Sequence, residues 1–101
     1  MSRQIQLRPI ARLEFDEAVD WFEEKRPGLG IEFTDAVRDA FKSIARSPLI
    51  YRKLYRDVRG VSVSGFPYQI FYRVLSNESI EVLSVFQVRR NPRAWRDRSD
   101  E

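Results

Sequence analysis

Polar and apolar residues change period several times along the chain, and each change marks an element. Over residues 3–8, Ile5 and Leu7 alternate with Gln4, Gln6 and Arg8, which predicts a short half-buried strand. Pro9 ends strand pairing and suits the first turn of a helix. From 10 to about 26 the spacing is helical: Ala11, Phe15, Ala18 and Phe22 form a stripe with Val19 beside it, and Glu14, Glu17, Asp20 and Glu24 are expected to face away. Pro27-Gly28-Leu29-Gly30 predicts a turn. A second helix is predicted over about 31–46, with Phe33, Val37, Ala40, Phe41 and Ile44 as its apolar stripe and Glu32 and Asp35 at the positive end of its dipole. Ser47-Pro48 closes it, so the two helices form an antiparallel hairpin with a shared apolar face.

The second half reads as strands. Val61 and Val63 alternate with Gly60, Ser62 and Ser64 over 58–64, as in a half-exposed strand. Residues 68–75 are apolar on both faces apart from Gln69 and Arg73, and Ser76-Asn77-Glu78 predicts the next turn. Residues 80–88 are almost continuously apolar, the signature of a central strand covered on both sides. The order strand, helix, helix, strand, strand, strand gives an α+β fold, a helical hairpin packed on a small, mainly antiparallel sheet. At 101 residues the chain is read as one domain, 1–101, with a basic segment from about 89.

Composition narrows the chemistry. With no Cys and no His, disulfides, thiolate or imidazole metal sites, cysteine nucleophiles and histidine acid–base catalysis are all excluded. No secretory segment or membrane span is read from the sequence, so a cytoplasmic protein without cofactors is expected. Of the 18 basic residues only Lys25, Lys42 and Lys53 are lysines, leaving fifteen arginines, the side chain suited to phosphates, carboxylates and aromatic faces. Residues 1–51 carry eight basic and nine acidic side chains, a net of −1; residues 52–101 carry ten and six, a net of +4. That bias points to an anionic partner, although Arg52, Lys53 and Arg56 serve equally as guards on a strand edge. Arg73, inside an apolar strand, either pairs with an acid, Glu81 being the obvious one, or faces a groove. Arg89, Arg90, Arg93 and Arg96 surround Trp95, a cluster able to clamp phosphates or to fold back onto the sheet.

Several stretches, taken in order, resemble the RelE/ParE superfamily of bacterial type II toxins, closest to its ParE-like branch. They are Ala11-x4-Asp16-Glu17-Ala18-x2-Trp21, Arg26-Pro27-Gly28-Leu29-Gly30-x2-Phe33, Ser47-Pro48 with Tyr51, Gly65-Phe66-Pro67-Tyr68-Gln69-Ile70-Phe71-Tyr72-Arg73-Val74, and the run from Val82 through Arg89-Arg90-Asn91-Pro92-Arg93-Ala94-Trp95. The resemblance implies a toxin held inactive by an antitoxin encoded beside it. ParE-like members poison DNA gyrase without being enzymes; RelE-like members cut mRNA on the ribosome.

The branch commonly carries Arg where this chain has Gln69, and often His where it has Gln87. In-line attack by a 2′-hydroxyl needs groups that accept and donate protons, which Gln does not and Arg does poorly. The expected activity is therefore gyrase inhibition, with Arg59, Arg73, Arg89, Arg90, Arg93 and Trp95 as candidate target contacts and no catalytic residue assigned. The alternatives are ribosome-dependent cleavage, with Arg59, Arg73 and Arg89 gripping phosphates, and an inactive relic kept for its antitoxin.

Overall fold

The computed structural model describes residues 3–76 and 79–89. Asn77 and Glu78 of the expected turn, and the C-terminal run that includes Arg90, Arg93 and Trp95, lie outside them. The elements are β1 (Gln4–Leu7), α1 (Pro9–Lys25), α2 (Leu29–Arg46), β2 (Lys53–Tyr55), β3 (Val58–Ser62), β4 (Tyr68–Ser76) and β5 (Ser79–Gln87). The sheet order is β1-β5-β4-β3-β2, with β1 parallel to β5 and the other pairs antiparallel. The α+β expectation holds, with one strand more than the pattern predicted. β2 has three residues, two of them exposed, and carries no alternation to detect.

Both helices cover one face of the sheet. Phe22, Phe33, Val37 and Ile44 meet Ile70, Tyr72, Ile80, Val82 and Val85 in the main core. At its centre Phe22 and Phe33 stand 5.0 Å apart, and each touches Phe66 and Tyr68 edge-on. The opposite face carries a smaller cluster of Val58, Phe71, Leu83 and Phe86. Because β5 contributes to both clusters, it is apolar on both faces, as a central strand must be.

The turn between the helices is shorter than predicted, since Leu29 and Gly30 already belong to α2. Glu23 explains why. Its carboxylate accepts the N–H groups of Gly28 at 3.0 Å and Gly30 at 3.0 Å, satisfying donors at a helix start that no side chain of the turn itself caps. Gly28 sits at φ 90°, the left-handed region where an L side chain is strained. A Cβ on Gly30 would lie 2.9 Å from the Val19 carbonyl oxygen, so the close approach of the helices needs glycine there.

Two expectations change in detail. Glu14 does not face solvent: its Oε1 accepts the Val85 N–H at 3.2 Å and the Ser84 hydroxyl at 2.9 Å. Those donors lie beyond Val82, where β1 has run out as a pairing partner and β5 is irregular in its pairing with β4. Arg73 and Glu81 do lie opposite one another across β4 and β5, but the charge pairing is broader than one couple. Arg73 Nη2 reaches Asp57 at 3.6 Å and Glu81 holds Arg8 at 3.2 Å, so Arg8, Glu81, Arg73 and Asp57 form a row of alternating charge.

The loop after α2 is fixed from below. The buried Tyr72 hydroxyl donates to the Pro48 carbonyl at 2.6 Å, and Arg59 Nη1 donates to the carbonyls of Tyr51 at 2.6 Å and Leu49 at 3.2 Å. Replacing Tyr72 with Phe strands a buried carbonyl and is expected to cost about 1–2 kcal/mol, read as a lower midpoint in urea unfolding with unchanged slope. Glu23 gives a pH signature. The Gly28 amide first, then that of Gly30, hold its pKa below the ordinary 4.5 against an opposing desolvation, and the nearby Arg26 charge adds a lesser lowering. A folded pKa below the unfolded one stabilises above about pH 4.5, and that stabilisation is lost as the pH falls through the lowered value. The stability gap between wild type and Glu23→Gln should therefore be largest near neutrality and shrink below pH 4.5; a gap that stays constant down to pH 3 would show that the carboxylate's charge is irrelevant.

Candidate functional site

Three of the six candidate contact residues are described, and the sheet keeps them apart. Arg59 is the register partner of Tyr72, which faces the helices, so Arg59 points to that side and spends its guanidinium on the 49–51 loop. Arg73 follows Tyr72 on β4 and faces the opposite side, half-buried beside Asp57. Arg89 lies just past β5, exposed, at the end of the sheet where the Val88 N–H donates to the Pro67 carbonyl at 3.0 Å. Tyr68 pairs with Gln87 and Arg73 with Glu81, so the Arg89 end of β4 and the Arg73 position are about 16 Å apart along the strand. A single phosphate grip by Arg59, Arg73 and Arg89 is not what the fold builds. Arg90, Arg93 and Trp95 lie outside the described residues.

The two glutamines are also separated. Gln69 pairs with Phe86, whose side chain belongs to the far-face cluster. Gln87 pairs with Tyr68 on the helix side and lines a cleft of about 210 Å³ with Glu14, Glu17, Trp21 and Tyr68. Trp21 is 48% exposed at this cleft, and Lys25 Nζ sits 4.6 Å from its ring centre.

Groups able to move a proton are mostly committed elsewhere. The Tyr72 side chain is fully buried, and burial pushes its pKa up to about 12 despite the opposing charge of Arg59. Tyr68 is half-buried among Phe22 and Phe33. Asp57 faces Arg73. Among the described residues no cluster of three or more acidic side chains is arranged to hold a metal ion. No described helix is long and apolar enough to cross a membrane.

One basic surface escaped the sequence reading. Arg38, Lys42 and Arg46 follow one another along α2 at intervals of four and, with Arg3, surround a groove of about 690 Å³ floored by Ile5, Phe41 and Ala45. The net charge of −1 for residues 1–51 conceals it, because the acids sit elsewhere on the hairpin. The i, i+4, i+8 spacing was the signal that could have revealed it.

Comparisons with known proteins agree with this architecture. A search of curated proteins returns no match. Among solved structures, a chain described as "Chromosomal ParDE TA system from P. aeruginosa" superposes with a TM-score of 0.74 at 14% identity, over 86% of this chain and 97% of that one. At such an identity the likeness is one of fold. A family model described as "ParE toxin of type II toxin-antitoxin system, parDE" matches residues 5–92. Spanning both helices and all of the described sheet except Gln4, that match places the chain in the ParE toxin family of type II toxin–antitoxin systems.

Proposed function

We propose that this chain arrests growth by binding DNA gyrase, without catalysing a reaction, and that an antitoxin encoded beside it neutralises it. The observation that carries the reading is the family match over residues 5–92. The chemistry supports its non-enzymatic half: Tyr72 is buried with its hydroxyl on Pro48, Gln69 and Gln87 lie on opposite faces, and Arg59 and Arg73 serve the framework. Gyrase and its DNA lie in the cytoplasm, so the toxin acts there.

Arg89 is the exposed candidate contact that the structure describes, and Arg90, Arg93 and Trp95 follow it within six residues. We assign the gyrase-binding surface to this segment, where arginine meets carboxylates or phosphates and the indole supplies apolar area. Arg59 and Arg73 are proposed to act indirectly, by holding the sheet and the loop after α2.

Purified protein should abolish gyrase supercoiling at near-stoichiometric amounts, and the combined Arg89→Ala, Arg90→Ala and Arg93→Ala variant should need roughly tenfold more protein or worse. Arg59→Ala should instead lower thermal stability while its folded fraction inhibits as wild type does. Unchanged supercoiling at concentrations that stop growth would remove gyrase as the target. New mRNA cuts at ribosomal A-site codons in a translating extract would favour the nuclease activity instead, and expression that leaves growth unaffected would indicate an inactive relic.

A further inference from the structure

Along α1, Glu14, Glu17, Ala18 and Trp21 follow one another at helical spacing and share one strip of its surface. That strip meets the end of the sheet where Gln87 of β5 stands opposite Tyr68 of β4. Ala18 is buried, and its single methyl leaves open a space that a longer side chain would fill. A cleft of about 210 Å³ results, with Ala18 and Val85 as the apolar part of its lining. It has room for a side chain and not for a further strand or helix.

The cleft carries charge of one sign. Among the described residues its lining includes the carboxylates of Glu14 and Glu17 and no cation. Glu14 is fixed by the Val85 N–H at 3.2 Å and the Ser84 hydroxyl at 2.9 Å, and Glu17 is exposed to what comes from outside. Trp21 adds an indole that already attracts positive charge: Lys25, one turn further along α1, holds its Nζ 4.6 Å from the ring centre. Gln87 adds an amide whose oxygen accepts hydrogen bonds. Carboxylates, an amide oxygen and an indole face are together what the planar, five-donor guanidinium of arginine satisfies. A phosphate meets the reverse, two negative charges at close range.

The position of the cleft says where such a side chain comes from. Gln87 belongs to its lining, and Arg89 follows two residues later, at most about 7 Å along the chain. An interface of standard size covers about 800 Å² on each partner, so one that includes Arg89 also reaches the mouth of the cleft.

We infer that the cleft between α1 and the end of the β4–β5 pair receives one arginine side chain of the protein target. Its guanidinium is bonded by Glu17 and lies against the Trp21 ring. The identity of that target rests on the gyrase reading above; the chemistry of the cleft adds that the toxin there contacts protein and not DNA. The interface is then mixed in sign, with Arg89 toward an acid and the cleft toward a base, an arrangement that fixes orientation as well as attraction. A nucleic acid would suit Arg89 but would bring its phosphates against Glu14 and Glu17.

Nα-acetylarginine methylamide, titrated into the full chain, tests the cleft without gyrase. The Trp21 indole N–H resonance, identified by its absence from Trp21→Phe, should shift with an affinity on the order of 1 mM. The citrulline analogue, neutral and nearly the same shape, should leave it in place. Glu17→Arg should abolish the shift, and Lys25→Met, which removes a competing ammonium, should tighten arginine binding severalfold. In the supercoiling assay Glu17→Arg should require roughly tenfold more protein than wild type, as should Trp21→Ala, whereas Trp21→Tyr should inhibit nearly as wild type does. An unchanged urea midpoint for Glu17→Arg, an exposed helix position, separates this loss from misfolding. Equal shifts with arginine and citrulline, or a Glu17→Arg protein that inhibits gyrase as wild type does, overturn the site. If wild type leaves gyrase unaffected, the target reading falls alone and the arginine titration still decides the chemistry of the cleft.

Discussion

β5 is apolar on both faces, with Ile80, Val82 and Val85 toward the helices and Leu83 and Phe86 toward the far side. A strand of that kind cannot lie at an edge, because its backbone groups and two apolar surfaces all need partners. The remaining elements are arranged around that demand. β4 takes one side along its length, and β1 takes the other, for four residues only. Past the end of β1, α1 supplies Glu14 to receive the N–H of Val85 and the hydroxyl of Ser84. The first helix thus completes hydrogen bonding that the first strand is too short to finish.

Much of this was legible in the residues. Helix and strand periods identified both helices and the four longer strands because each buries one regular stripe or two full faces. Three things were not legible, for separate physical reasons. β2 is a short, charged edge whose pairing depends on β3 being present, so nothing local marks it. Glu14 falls on the polar side of its helix by pattern, and only the sheet's geometry reveals a donor waiting there. The charge pairs depend on register: Asp57 and Arg8 become neighbours of Arg73 and Glu81 only once the strands are side by side.

The arginines show the same limit on the functional side. Sequence position grouped Arg59, Arg73 and Arg89 as late, basic and strand-associated. Tertiary structure gives them unrelated tasks: one holds a loop through main-chain carbonyls, one continues a row of alternating charge, and one stands exposed. Guanidinium groups suit all three roles because they offer several donors in a plane and keep their charge when partly buried. Counting arginines therefore overstates the surface available to a target. The groove on α2 makes the complementary point, since an acidic half-chain still presents a groove whose charged lining, among the described residues, is cationic.

The pairing of β1 with β5 joins stretches far apart in the sequence, and it has a temporal consequence. Residues 4–7 are made before the rest of the described sheet, yet their partners at 79–82 are made more than seventy residues later. Until then β1 has no ladder to join, and the core residues of α1 and α2 have no completed sheet to cover. A nascent chain therefore cannot complete this sheet until β5 has been made. Completion of the described sheet waits on β5, so the surface that both helices and β1 help to form first appears only then.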